Sequence, residues 1–267
     1  MKHNTQNKKI KKLAIVGLVR GYEDINDYDI LIARNKSILN KIVSKLKIPY
    51  KVILFHEGNI NDSQQNYIIK ESFLDMEFIN VEKDFKFDKS LITKSDNLER
   101  FNSGYRMMCR FNFYSIWKYV KDYEFLLRID EDVIFKRFDI KKFEKLLKNN
   151  EIFSTVRLSK ETHSLTNRTL PKYLQEVLMA KDLKFYNNKF PYTNFYFSRV
   201  DFWTNPEIQK KLQKLVTDEQ FIYRWGDLPI IGAFLNHYKV SIKLFRGTSY
   251  YHQSHKNKLI KSTFLNF

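Results

Sequence analysis

Residues 125–135 read FLLRIDEDVIF, and this stretch decides both the expected fold and the place of the candidate site. A short apolar run that contains one arginine leads into three acids, Asp130, Glu131 and Asp132, before the chain becomes apolar again. Such a run is typical of a buried strand. The acids at its end are unexpected, because the chain carries a formal net charge of +17. They indicate either a site for a cation or a solvated acidic turn.

Strands and helices alternate along the first half of the chain. Apolar residues with helical spacing run from Leu31 to Leu46, and a second helix is predicted over residues 103–120. Three segments around them have the pattern of strands, residues 12–19, 50–57 and 77–81. This alternation predicts an α/β fold, a single domain with a mostly parallel central sheet flanked by helices. In such sheets ligands bind beyond the carboxyl ends of the strands, which is where the three acids lie.

The second half of the chain is less regular. Three segments have the pattern of helices, residues 171–180, 206–216 and 228–238. Three segments have the pattern of strands, residues 151–158, 193–203 and 239–245. We predict loops over the charged residues 82–100, which lack a clear period, and over the segment YYHQSHK that follows the last strand.

The composition is that of one folded domain. The chain has 267 residues, of which 43% are hydrophobic, enough for a substantial core. Its seven glycines and five prolines argue against a string of linked modules. The single cysteine, Cys109, excludes an intrachain disulfide, and no apolar run approaches the ~20 residues that span a bilayer. We predict a flexible basic tail over residues 1–11, one domain over residues 12–253 and a tail over residues 254–267.

The excess of basic residues is compatible with three kinds of partner. The chain has 47 lysines and arginines against 30 acids. An excess of this size suits nucleic acid, an anionic membrane surface or an anionic substrate such as a nucleotide diphosphate. The basic residues are scattered along the chain rather than clustered, so the charge by itself selects none of the three.

Asp130 and Asp132 are candidate ligands of a metal ion. Residues two apart on an extended strand point to the same side, so both carboxylates can converge on one cation. Mg²⁺ and Mn²⁺ prefer carboxylate oxygens and keep coordination positions for substrate phosphates. A solvated turn explains the same pattern, because two aspartates with one residue between them are common in charged proteins.

Four segments together resemble a known family. They are GYRMMCRFN (104–112), YEFLLRIDEDVIF (123–135), YRWGDLPIIGAF (223–234) and SYYH (249–252). In this order they resemble the yeast-type α-1,2-mannosyltransferases of glycosyltransferase family 15. Those enzymes carry a Tyr-x-x-Met-Cys-Arg segment, an Arg-Val-Glu-Pro-x-Val strand end, an Arg-Trp-Gly-Asp-x-Pro turn and a late Tyr-x-His. The resemblance spans roughly residues 13–253 and implies a GT-A fold for the domain of residues 12–253.

The resemblance also implies a function. It implies a retaining, metal-dependent glycosyltransferase that moves mannose from GDP-mannose to a glycan or another hydroxyl acceptor, with Mn²⁺ or Mg²⁺ as cofactor. It places Asp130 on the family's metal-binding glutamate and His252 on its second metal ligand. Asp132 falls at a variable position beside them, as a third ligand, and both aspartates would meet the nucleotide through the metal. Arg20, in the segment LVRG (18–21), lies at the first strand end, where the family binds the nucleotide.

Three further positions would lie near the reacting groups. Tyr105 matches a tyrosine near the family's reaction centre, and Asp227 matches an acceptor-side aspartate, although it also suits the N-cap of a helix. Tyr196 stands where the family has its candidate nucleophile, a glutamate, and the nearest acid that follows it is Asp201. Because Tyr196 is no carboxylate, the sequence favours a front-face transfer in which the leaving phosphate helps to deprotonate the acceptor. Glu131, which replaces a proline of the family, is a second departure.

Two other functions remain open. Basic charge with interleaved aromatic residues fits single-stranded nucleic-acid binding, but the chain has no recognisable reader motif and we expect no nucleic-acid partner. The same acids also suit a metal-dependent nuclease or phosphatase. The family's membrane anchor has no counterpart in the sequence, so we expect a cytoplasmic protein of bacterial or viral origin.

Overall fold

The computed structural model describes residues 12–252, with the exception of residue 97 and residues 187–188. The predicted tails, residues 1–11 and 254–267, lie outside the described residues, as does residue 253. The structure therefore addresses the domain that the sequence predicts between them.

A mixed sheet of seven strands forms the centre of the protein. In chain order the strands of the described residues are β1 (Leu13–Leu18), β2 (Tyr50–His56), β3 (Glu77–Asn80), β4 (Phe125–Ile129), β5 (Ile134–Phe138), β6 (Phe153–Thr155), β7 (Leu158–Ser159), β8 (Phe190–Pro191), β9 (Phe195–Arg199), β10 (Ile242–Leu244) and β11 (Thr248–Tyr251). The sheet has the order β10-β6-β9-β4-β1-β2-β3, in which β9 runs antiparallel to both of its neighbours. The predicted α/β fold with a mostly parallel sheet is confirmed.

Helices cover both faces of the sheet. In chain order the α-helices of the described residues are α1 (Asp29–Lys41), α2 (Asp62–Ser72), α3 (Ser103–Arg110), α4 (Ile116–Val120), α5 (Ile140–Lys148), α6 (Ser164–Leu178), α7 (Val200–Trp203), α8 (Pro206–Gln213), α9 (Asp218–Ile222) and α10 (Asp227–His237). A π-helical segment, Phe111–Ser115, joins α3 to α4, so the predicted helix over residues 103–120 is continuous. No helix in the described part of the chain has the length and apolar character that a membrane span requires.

The alternation of side chains along the strands divides the core into two layers. Ala14 and Val16 of β1 pack with residues of α3, α6 and α10 on one face of the sheet. Leu13 and Ile15 pack with residues of α1, α2 and α5 on the other face. Both faces of β1 are therefore buried, which is why this strand is a continuous apolar run in the sequence.

Several element boundaries differ from the prediction. The helix predicted to begin at Pro171 is α6, which begins earlier, at Ser164. Pro171 therefore lies inside the helix rather than at its start. The predicted strand over residues 193–203 stops at Arg199, where the short helix α7 follows. The predicted loop after residue 245 contains β11, which pairs antiparallel with β5. Residues 82–96 and 98–100 form a loop with two short 3-10 turns, Glu82–Phe85 and Lys89–Leu91, close to the prediction.

Candidate functional site

The three acids after β4 do not share one direction. The Asp130 amide donates to the Asn194 carbonyl at 2.9 Å, and the Val133 amide donates to the Asp130 carbonyl at 3.3 Å, which turns the chain sharply. Asp130 and Asp132 then face a common point. Glu131 instead reaches the loop after β1. The outer acids therefore converge as the sequence predicts, although a turn after β4, rather than an extended strand, brings them together.

His252 reaches the same point from the other end of the chain. It follows β11, whose last residue, Tyr251, pairs with Ile134 at the start of β5. This register places the imidazole beside the acids. Nε2 of His252 lies 3.5 Å from Oδ1 of Asp132 and 4.0 Å from Oδ2 of Asp130. One ligand atom from each of the three side chains lies within 4.8 Å of the others.

This donor set fits a divalent cation such as Mn²⁺. Ligand atoms about 2.1 Å from a shared octahedral ion lie about 3 to 4.2 Å apart. The separations of 3.5 and 4.0 Å from the His252 nitrogen fall in that range. Two carboxylates provide the oxygen ligands that Mn²⁺ and Mg²⁺ prefer, and an imidazole is less typical of Mg²⁺. The side chains of Asp130, Asp132 and His252 keep 29%, 12% and 23% of their surface exposed, which leaves an approach for a ligand.

The electrostatics at Asp130 favour a cation. Burial raises the pKa of the Asp130 carboxyl to about 7, although the positive charge of Arg128 opposes the rise. Neighbouring carboxylates push the pKa further in the same direction, those of Asp132, Asp227 and Glu131. A divalent cation bound here would compensate these negative charges.

Arg128, which sequence analysis did not select, connects Asp130 to Asp227. Its Nη2 donates to Oδ1 of Asp130 at 2.7 Å, and its Nη1 donates to Oδ2 of Asp227 at 3.0 Å. Nη1 also donates to the Thr193 carbonyl at 2.6 Å, and only 5% of the side chain is exposed. An arginine inside an apolar strand has to find such partners, so its position in the strand was the available signal.

Asp227 lies on the side of Arg128 away from the candidate metal ligands. It is the first residue of α10 and is 6% exposed. Its Oδ1 accepts a hydrogen bond from the Leu228 amide at 3.0 Å. The residue in the N-cap position is Gly226, so the capping role considered for Asp227 does not apply in that form.

Tyr105 lies in the same electrostatic neighbourhood. Its hydroxyl accepts a hydrogen bond from Nη2 of Arg224 at 2.8 Å, while Nη1 of Arg224 pairs with Oε2 of Glu161 at 2.9 Å. Burial raises the pKa of the Tyr105 phenol, and the charge of Asp227 acts in the same direction. Tyr105 and Asp227, the two residues predicted near the reaction centre, are thus close enough for the carboxylate to affect the phenol.

Arg20 is held by Glu131. The Arg20 amide donates to Oε2 of Glu131 at 2.9 Å, and Nε of Arg20 lies 2.7 Å from Oε1. The glutamate that departs from the family pattern therefore fixes the loop after β1, a contact that sequence analysis did not predict. The Arg20 side chain itself is 68% exposed.

Tyr196 is fully buried. It lies opposite Arg128 in the β4–β9 pairing, and its ring stacks on Phe153 with 5.1 Å between the centroids. The nearest acid after it, Asp201, forms an ion pair with Arg199 at the opposite end of the same strand pair. The catalytic role of Tyr196 stays a prediction, and Asp201 supplies no carboxylate in its place.

A pocket of about 570 Å³ lies beyond the carboxyl ends of β1 and β2. Gly21, Tyr22, Asn59 and Gln64 are among the residues that line it. A Cβ atom on Gly21 would lie 2.1 Å from the carbonyl oxygen of Asn59, so the close approach of the two loops requires glycine. This is the edge of the sheet at which α/β proteins bind ligands.

The arrangement of sheet and helices is that of a GT-A glycosyltransferase fold. Core-mannan synthase A (CmsA/Ktr4) of Aspergillus fumigatus, solved in a Mn/GDP form, matches with a TM-score of 0.68 at 19% identity, over 90% of this chain and 74% of that one. The mannosyltransferase Ktr4p of Saccharomyces cerevisiae matches with a TM-score of 0.70 at 18% identity, over 91% of this chain and 70% of that one. At these identities the likeness establishes the fold.

The amino-acid sequence is also similar to that of a characterised mannosyltransferase. The O-glycoside α-1,2-mannosyltransferase Omh1 of Schizosaccharomyces pombe is 26% identical over 170 residues, 56% of this chain and 44% of its own length. The match spans less than half of that relative. Together with the structures, it confirms the resemblance of the chain to the yeast-type α-1,2-mannosyltransferases. No protein-family model matches the chain.

Proposed function

We propose that this protein is a Mn²⁺-dependent glycosyltransferase that transfers mannose from GDP-mannose to a hydroxyl group of a glycan. The observation that carries the proposal is the convergence of Asp130, Asp132 and His252 at the carboxyl edge of a GT-A sheet. The comparisons support the sugar and the cofactor, since the similar proteins are mannosyltransferases and one of them was solved with Mn and GDP.

The end of β4, which carries Asp130, is held in place by Arg34. Asp130, Asp132 and His252 would hold the ion, and bound Mn²⁺ would neutralise negative charge on the departing nucleoside diphosphate. Arg34 is fully buried and donates to the Ile129 carbonyl at 2.8 Å and to the Asp130 carbonyl at 3.3 Å, which fixes the end of β4. A fixed carboxylate needs little reorganisation when a ligand arrives.

The nucleoside of the donor would lie in the pocket beyond β1 and β2. The pocket borders Gly21, directly after the Arg20 that Glu131 holds. Its walls carry hydrogen-bonding groups, including the side chains of Asn59 and Gln64. A base and ribose in this place would leave the diphosphate free to extend toward Asp130 along the same edge of the sheet.

Asp227 and Tyr105 would orient the acceptor. The two carboxylate oxygens of Asp227 already accept one hydrogen bond each, from Arg128 and from the Leu228 amide. Each oxygen retains capacity for a second donor, such as a sugar hydroxyl. Because Arg128 joins Asp227 to Asp130, the acceptor and donor sides of the site are fixed relative to each other.

The transfer would take place on the front face of the sugar. Tyr196 is no carboxylate, and Asp201 lies at the far end of the strand pair, so neither is placed to form a glycosyl-enzyme. In a front-face transfer the bond from the anomeric carbon to the phosphate oxygen breaks, and the bond to the acceptor oxygen forms on the same side. The acceptor proton passes to the leaving diphosphate, and configuration is retained.

Thermal unfolding with nucleotides and metal tests this proposal. GDP, GDP-mannose and UDP are each added with and without Mn²⁺. We expect GDP and GDP-mannose to raise the Tm only when Mn²⁺ is present, and GDP to be released from GDP-mannose when a mannoside acceptor is added. In His252→Ala the Mn²⁺-dependent part of the rise should be lost, while the Tm of the ligand-free variant shows that it folds.

Other outcomes of these assays would contradict the proposal. Stabilisation by UDP instead of GDP would identify a different donor. Hydrolysis of a phosphodiester without any sugar donor would support a metal-dependent phosphodiesterase. RNA binding that weakens steeply with salt, without turnover of sugar nucleotides, would support a nucleic-acid-binding protein.

A further inference from the structure

Most arginines near the acids after β4 are committed to partners within the chain. Arg20 forms an ion pair with Glu131. Arg34 is buried and donates to main-chain carbonyls. Arg128 bridges two buried aspartates, as described above. Their charges or donor groups are therefore already engaged before an anionic ligand arrives.

Arg157 differs from these arginines because its exposed side chain pairs with no carboxylate among the described residues. An aromatic side chain, that of Tyr192, connects it to the candidate metal ligands. Arg157 follows β6, and its carbonyl accepts a hydrogen bond from the Tyr192 amide at 3.0 Å. Its guanidinium carbon lies 4.0 Å from the centroid of the Tyr192 ring. That ring forms a T-shaped contact with the imidazole of His252, with 6.0 Å between the centroids and an angle of 87° between the planes.

The guanidinium of Arg157 is an uncompensated cation. Within the described part of the chain it makes no side-chain hydrogen bond and no ion pair. Its charge nevertheless lies beside the site, because the Tyr192 ring that it covers also contacts the imidazole of His252. A guanidinium offers a planar fork of donors that matches phosphate oxygens. Stacking on a tyrosine fixes the orientation of that fork.

We propose that Arg157 binds the diphosphate of the nucleotide-sugar donor and that Tyr192 positions its guanidinium for this contact. The proposal rests on the function proposed above, because it needs a diphosphate at Asp130. The sequence suggested Arg20 as the residue that binds phosphate, but Glu131 compensates the charge of Arg20. The proposal assigns this role to Arg157. A free cation here also stabilises the charge that develops on the leaving diphosphate.

Calorimetric titrations in the presence of Mn²⁺ test the contact. GDP, UDP and guanosine are titrated into wild type, Arg157→Met and Arg199→Met. Arg199 is a matched control, because it lies opposite Phe125 at the other end of the β4–β9 pair and its loss changes the net charge equally. We expect Arg157→Met to weaken the binding of whichever diphosphate binds wild type by roughly tenfold to a hundredfold. Guanosine binding should not change, and Arg199→Met should resemble wild type.

Conservative variants separate the guanidinium from its support. Arg157→Lys keeps the charge but loses the fork, so it should fall between wild type and Arg157→Met. Tyr192→Phe keeps the stacking surface and should bind like wild type, whereas Tyr192→Leu should lose part of the affinity. Equal diphosphate affinity in Arg157→Met and wild type would overturn the role of Arg157 alone, as would an equal loss for guanosine. A wild-type protein that binds neither GDP nor UDP would overturn this role and the proposed donor class together.

Discussion

The two ends of the β4–β9 strand pair carry the same chemistry in different surroundings. At the carboxyl end of β4, Arg128 is 5% exposed and joins Asp130 to Asp227. At the other end, Arg199 pairs with Asp201, and the two side chains are 34% and 62% exposed. A buried arginine must have its charge and donors matched, whereas an exposed pair contributes little. Burial and the number of partners, rather than residue type, therefore distinguish the charges that build the candidate site.

Removal of Arg128 is expected to have the largest effect. Arg128→Met leaves Asp130 and Asp227 without their shared counter-charge, and loss of one partner of a buried ion pair costs about 3–5 kcal/mol of the free energy of unfolding. Urea unfolding measures the loss. Arg199→Met, the matched control, should lose no more than about 1 kcal/mol. Losses of equal size in the two variants would show that the buried and the exposed arginine contribute equally to the free energy of unfolding.

The next largest effect concerns the candidate metal ligands. Asp130→Asn removes one charged ligand, and we expect Mn²⁺-dependent transfer to fall by about a hundredfold, the upper limit for residues that only support metal ligands. The concentration of Mn²⁺ at half-maximal rate should rise at the same time. Asp201→Asn makes the same chemical change at the exposed end and should leave both quantities unchanged. If Asp130→Asn kept the Mn²⁺ dependence of wild type, Asp130 would not be a ligand.

The sequence predicted the first half of the fold better than the second because its elements follow local patterns. The strands β1 and β2 are largely apolar runs that pair in parallel, and β3 pairs in parallel with β2. Strand β11 was missed, since it is short and pairs with β5 far along the chain, which periodicity does not reveal. The start of α6 was wrong because Pro171 suggests a first turn, whereas the helix continues through it.

The candidate site was predictable in part. The sequence predicted that Asp130 and Asp132 converge, but from the geometry of a strand, whereas both lie in the turn after β4. His252 was found only through the family resemblance. Arg128 had a signal, its place in an apolar strand, but its partner Asp227 lies in a distant helix. Arg157 had no signal in the sequence, because its position over Tyr192 depends on the packing of two loops. The sequence alone did not predict contacts between segments that are far apart in the chain.

A smaller effect is expected on the acceptor side of Arg128. Asp227→Asn keeps the shape of the side chain but removes a charged hydrogen-bond acceptor, worth about 1.5 kcal/mol or tenfold in rate. We therefore expect kcat/KM for the acceptor to fall about tenfold, while GDP affinity measured by calorimetry stays the same. Equal losses in acceptor turnover and GDP affinity would instead place Asp227 on the donor side.

The smallest effect is expected at the exposed end, and its salt dependence sharpens the comparison. Asp201→Asn breaks the pair with Arg199 and should lower the free energy of unfolding by less than about 1 kcal/mol. Salt at 1 M shortens the Debye length to about 3 Å, so this difference should vanish when unfolding is repeated in 1 M NaCl. The loss in Arg128→Met should persist there, because water and ions do not screen a buried charge well. If the losses in both Asp201→Asn and Arg128→Met disappeared in salt, Arg128 would be acting as a surface charge. It would then not hold Asp130 and Asp227 in fixed positions.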